Sequence, residues 1–116
     1  MAEQIYHPTT PEEGKRRREL APGIHDAFTA FSKAVFGDAA LDERTKQLIA
    51  VAVAHTTQCP YCIDGHTKLA VRKGAKPEEV MEAIWVAAEM RAGASYAHSA
   101  LALDTMQQHM HAATAP

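Results

Sequence analysis

Long apolar runs are missing from this 116-residue chain: the longest, Leu48 to Ala54, has seven residues, whereas a membrane-spanning helix needs about 20. The N-terminus also lacks the apolar core of a signal peptide, so the expected location is cytoplasmic, with no membrane partner. A charge excess is lacking too. Twelve Lys and Arg residues face fourteen Asp and Glu residues for a net charge of −2, which gives no field to attract nucleic acid or an anionic membrane. The one basic run, Lys15 to Arg18, is answered by Glu12, Glu13 and Glu19 and reads as a solvated helix face. No alternating strand pattern, glycine-rich phosphate loop, GxSxG or HExxH occurs, and no organic cofactor is implied. Cysteine is scarce: Cys59 and Cys62 are the only two. A bridge between residues so close would restrict the unfolded chain little, and reducing compartments disfavour permanent disulfides, so the pair asks for a chemical explanation.

What is present is helical periodicity. The composition is 47% hydrophobic and only 6% aromatic, and its alanine, leucine, valine and methionine favour helix. Residues 1–116 are expected to form one all-α domain, a compact bundle of five to six helices, with an N-terminal arm over 1–10 and a core over about 22–111. Pro8 and Pro11 fit an extended arm leading into a short polar helix, Pro11 to Leu20, which "APG" at 21–23 breaks. Ile24, Ala27, Phe28, Phe31, Ala34 and Val35 repeat at three and four residues and predict a helix from Pro22 to Phe36 that buries one stripe, ended by Gly37. Asp42 is placed to cap the next helix, whose Leu48, Ile49, Val51, Ala52 and Val53 make it the expected buried centre. Pro60 suits the first turn of a further helix, to about Lys73. Pro77 to Arg91 is helical in spacing, Gly93 marks a break, and a last helix follows with Tyr96, Ala100, Leu103 and Met110 along one stripe.

Chemistry concentrates in "TTQCPYCIDGHTK", residues 56–68. With Cys59 just before a helix and Cys62 in its first turn, the unpaired N–H groups and the positive end of the dipole favour a thiolate over a thiol of ordinary pKa about 8.5. His66 lies one turn beyond Cys62 on the same face, within reach of its proton. Three readings stay open. The pair can act as a redox dithiol, forming an internal disulfide; it can join His66 and a fourth ligand from His55, His98, His109 or His111 around zinc; or it can simply pack. His98 could face the same cavity. Trp85, Met81 and Met90 read as core or subunit interface.

The stretch from Leu41 to about Met90, with its CxxCxxxH at Cys59, Cys62 and His66, resembles the carboxymuconolactone decarboxylase superfamily, and within it the alkylhydroperoxidase D-like branch. The resemblance implies an all-α fold, assembly into trimers or hexamers, and a dithiol peroxidase or disulfide reductase that consumes a hydroperoxide and is recycled by a dithiol reductant. It implies Cys62 as the activated thiolate and Cys59 as its disulfide partner. The family pattern has a relay glutamate twelve residues before the first cysteine and a histidine between the cysteines. Here those places hold Gln47 and Tyr61. Gln47 can position a partner but cannot take a proton, and a tyrosine of pKa near 10 is a poor neutral-pH base. Weaker peroxidase turnover is therefore expected, with His98 or Glu89 as candidate helpers. The family name also implies an alternative, decarboxylation of a small carboxylate, which would want Arg72 or Arg91 turned inward. A redox sensor without turnover is the non-enzymatic alternative.

Overall fold

The computed structural model describes residues 5–114, with side chains through Met110. The expected arm is thus seen from residue 5 onward, and the side chain of His111 lies outside the described residues. Five helices follow in order: α1 Pro11–Leu20, α2 Pro22–Phe36, α3 Glu43–Thr57, α4 Pro60–Arg72 and α5 Pro77–Thr114. Among the described residues there is no strand, and no helix is long and apolar enough to cross a membrane.

The helix ends follow local chemistry. Asp42 caps α3 by accepting a hydrogen bond from the Thr45 N–H at 2.7 Å, which satisfies one of the free donors of the first turn. Gln58, at φ 58°, closes α3 in the left-handed region, and Cys59 becomes the cap of α4 one residue later. Gly74 ends the next connection at φ +93°, a conformation glycine adopts without penalty. The turn lets the Ala75 N–H reach the Ala70 carbonyl at 2.9 Å.

Gly93 does not break the chain: α5 runs through it for 38 residues. A single interior glycine costs only about 1 kcal/mol, and its alanine neighbours together with Met90 and Leu101 supply good helix formers on both sides. Gly37 ends α2 with extended backbone, φ −69°, rather than in the left-handed geometry of a glycine cap.

The buried cluster is small. Val51 of α3, Ala70 of α4, Ala75 and Val80 pack together, with Leu48 and Ile84 against them. Helix α3 is therefore central as expected, but only on one side: Gln47, Val51 and Ala54 are buried while Ile49 and Val53 stay exposed. The stripe expected to be buried on α2 is open to solvent, with Phe28 67% exposed, because no other helix of the same chain covers it. Trp85 and Tyr96 on α5 are 68% and 84% exposed, so Trp85, Met81 and Met90 are not core within one chain.

The overall shape reflects this. The radius of gyration is 21.1 Å and the long dimension 70 Å, against about 13 Å for a compact domain of this length. Helices α3, α4 and the first half of α5 form the packed centre, while the α1–α2 hairpin and the distal half of α5 project from it. The hairpin is tied by a paired contact from Arg18 to the Asp26 carboxylate, at 2.9 and 3.2 Å.

Candidate functional site: a dithiol beside a histidine

The turn between α3 and α4 brings the two cysteines together at the N-terminus of α4, where they form a disulfide with Cα atoms 5.2 Å apart. Cys59 Sγ also accepts a hydrogen bond from the Cys62 N–H at 3.2 Å. The sulfur thus occupies the position that a Ser or Asp oxygen takes at an ordinary helix cap, beside the positive end of the dipole. Both cysteines are half-buried.

One turn further along α4, His66 Nδ1 lies 2.7 Å from Gln47 Oε1. Gln47 is the one buried polar side chain among the described residues, 4% exposed. Because an amide oxygen only accepts, this contact places the proton on Nδ1 and leaves Nε2 as the basic nitrogen. The position that carries a relay carboxylate in the resembling pattern therefore does touch the histidine, but as a neutral partner that fixes the tautomer. On its face the imidazole stacks on Phe36 of α2, with ring centroids 5.0 Å apart and planes 28° from parallel. Phe36 was not singled out from the sequence. Its place at the end of an apolar stripe was the available signal, and nothing in that stripe says which member meets the site.

Cys62 and His66 line a common cavity of about 400 Å³ with Val35 and Phe36 from α2 and Ile49, Ala50 and Val53 from α3. Lys46 is at its edge, its ammonium donating to the Gly37 carbonyl at 2.6 Å. Cys59 is not part of that lining.

Other expected participants lie elsewhere. Tyr61 is exposed and its hydroxyl donates to the His7 carbonyl at 2.7 Å, so it serves the N-terminal arm rather than a proton relay. His98 and Glu89 are exposed on α5 and do not line the cavity. Arg91 donates to the Thr56 carbonyl at 2.8 Å, supporting the end of α3, and Arg72 borders a separate depression with Thr67, Lys68 and Val71. Neither arginine lines the cavity that holds Cys62 and His66. His55 Nδ1 bonds the Val51 carbonyl at 2.7 Å. Among the described residues no group of three or more His, Cys, Asp or Glu side chains gathers to hold a metal ion.

The structure is thus an all-helical domain in which a helix-capping cysteine pair and a histidine one turn on meet at an apolar cavity. The chain belongs to the carboxymuconolactone decarboxylase family, whose family model matches residues 22–105. It is 68% identical over 85 residues to protein 4 of the cox locus of Paracoccus denitrificans, covering 73% of this chain and 77% of that one. Among solved structures it is similar to a carboxymuconolactone decarboxylase family protein from Legionella pneumophila, with 34% identity, a TM-score of 0.67, and coverage of 84% of this chain and 87% of the other. A family protein from Thermotoga maritima, described as possibly involved in antioxidative response, is 25% identical with a TM-score of 0.52, covering 72% of this chain and 93% of that one.

Proposed function

We propose that this chain is a cytoplasmic thiol-dependent peroxidase of the alkylhydroperoxidase D-like kind, reducing hydroperoxides through Cys59 and Cys62. The observation that supports this reading best is the junction of α3 and α4, where a bonded cysteine pair caps a helix and one of its sulfurs shares an apolar cavity with a tautomer-fixed histidine. In the reduced protein, His66 Nε2 takes the Cys62 proton. The thiolate attacks the peroxide oxygen, the O–O bond breaks, and the alkoxide leaves as an alcohol with the proton returned by His66. The Cys59 sulfur then attacks the resulting sulfenic acid, the Cys59 thiol proton passes to the departing hydroxide, which leaves as water, and the disulfide forms. Two thiols are oxidised and one hydroperoxide becomes an alcohol and water. The description of the Thermotoga relative as possibly involved in antioxidative response points the same way.

The active form we propose is a homo-oligomer, a trimer or hexamer. Phe28, Phe31, Trp85, Met90 and Tyr96 are all exposed in one chain, and large apolar side chains left open in this way suit contact with a second copy. The direct test of the chemistry is a thiol titration of the reduced protein before and after one equivalent of an alkyl hydroperoxide. Loss of two thiols per chain, reversed by a dithiol with continued peroxide consumption, is expected. Thiols that persist through the addition would overturn the reading.

A further inference from the structure

Tyr61, between the two cysteines, holds the chain's own N-terminal arm. Its hydroxyl donates to the His7 carbonyl at 2.7 Å, and its ring meets Tyr6 edge-on with centroids 5.9 Å apart. The same residue fastens the arm a second time through its side chain, His7 Nε2 sitting 2.7 Å from Glu13 Oε1 of α1. Tyr6, His7, Pro8 and Thr9 thereby form one wall of a cleft whose other wall is Pro60, Tyr61, Asp64 and Lys68. That wall begins at the residue next to Cys59. The cavity that holds Cys62 and His66 includes none of these residues. Neither cysteine lines the arm-side cleft, but the arm lies against the start of α4 at the two residues between Cys59 and Cys62.

A donor thiolate that attacks Cys59 Sγ forms a mixed disulfide with Cys59 and expels Cys62 as thiolate, the leaving group beside the helix terminus and His66, and better leaving groups depart faster. The second donor thiolate attacks the donor sulfur of that mixed disulfide and releases Cys59. The donor leaves as a disulfide, two electrons having passed to the cysteines and its two protons to them or to water. A small dithiol needs little room for the in-line attack. A folded protein donor must lay a surface against the start of α4, where the arm lies.

On the basis of the peroxidase reading above, we propose that residues 5–10, docked on Tyr61, act as a strap that selects the electron donor: small dithiols reduce Cys59–Cys62 with the arm in place, and protein dithiols must displace it. Tyr61 is on this assignment a specificity-determining residue for reduction, with no part in the attack on peroxide.

The experiment measures the rate at which the oxidised protein is reduced by dithiothreitol and, separately, by a thioredoxin, in the full-length wild type, Tyr61→Phe and Tyr6→Ala. Tyr61→Phe removes one hydrogen bond and keeps the ring, while Tyr6→Ala loosens the arm without touching the CxxC segment. The expected result is a several-fold faster thioredoxin reaction in both variants, about five-fold for one hydrogen bond, with the dithiothreitol rate unchanged. Equal acceleration with both reductants would assign Tyr61 to the disulfide's own chemistry and overturn the strap, as would unchanged rates in both variants or a disulfide that neither reductant opens. No peroxide enters the assay, so a protein that fails to consume hydroperoxide still reports on the arm.

Discussion

The packed centre, the projecting α2 and the distal half of α5 all carry apolar stripes and bury them differently. Around Val51 and Ala70, both fully buried, three helices meet through small side chains that let the backbones approach closely. On α2 and the distal half of α5 the apolar stripes are richer in large residues, Phe28, Phe31, Tyr96 and Leu103, yet they remain exposed. An apolar stripe is a demand for a partner, and the source of the partner depends on what the rest of the chain can bring alongside. At the centre another part of the same chain meets it; in the projections, on our proposal, a second copy does. The dithiol lies where the two regions join, with its cysteines on the central α4 and the cavity wall completed by Val35 and Phe36 at the end of projecting α2.

The contrast can be broken most severely at the junction. Cys59→Ser and Cys62→Ser should each reduce peroxide turnover to the background rate, measured as hydroperoxide consumption with excess dithiol, while leaving the helical circular dichroism intact. Retained turnover in either variant would remove the disulfide from the mechanism. In the projections, Tyr96→Asp on the distal half of α5 should weaken self-association by about thirty-fold or more, the scale of a buried aromatic anchor, read by sedimentation velocity across a concentration series. A wild type that sediments as a monomer at every concentration would deny the assembly.

At the centre, Val51→Ala should cost about 2 kcal/mol of stability from lost burial and the cavity left behind, seen as a lower urea midpoint. The same truncation at exposed Val86 on the outer face of α5 should change that midpoint little, and equal losses at both positions would erase the distinction between covered and uncovered apolar positions. Gln47→Glu sharpens the site itself. A carboxylate against His66 Nδ1 can take up a proton that an amide cannot, and peroxide turnover should rise by about ten-fold, toward the lower end of what a positioned acid–base group contributes. An unchanged rate would mean that Gln47 acts only in holding the imidazole.

The smallest effect is electrostatic. Asp42 is held below the usual carboxylate range by hydrogen bonds from Thr45, and Glu79 is held below it by the Lys76 backbone N–H and then by Arg44. Folding favours the ionised form of each, so their stabilisation is fully present above the ordinary carboxylate pKa of about 4 and is lost as pH falls through and below it. Both groups are exposed to solvent screening, so a slight decline in melting temperature below about pH 4 is expected, less steep in Glu79→Gln. Identical slopes in the variant and the wild type would show that the ion pair between Arg44 and Glu79 contributes nothing.

Much of the site was legible because its geometry is local. Cys59, Cys62 and His66 lie within eight consecutive residues of one helix start, and a fixed rise and turn per residue bring them to one end. The Asp42 cap and the proline-led starts of α1, α2, α4 and α5 are equally local. Gln47 is the exception: it is 19 positions from His66, and its contact was accessible through the resemblance alone. Non-local outcomes were not legible. Whether Gly93 breaks a helix depends on its neighbours' propensity, and the direction of Tyr61 depends on an arm 54 positions earlier in the chain.

By itself, then, the sequence determined an all-helical chain, the starts of its helices and a helix-capping cysteine pair with a histidine one turn on, since these follow from periodicity, proline, capping chemistry and spacing within single elements. Only the tertiary structure decided that Phe36 and Gln47 would hold His66 from two other helices, that Tyr61 would face the arm, and that the longest apolar stripes would find no cover in their own chain. Those outcomes depend on which surfaces meet, and one helical repeat offers many surfaces that hydrophobic burial alone would accept.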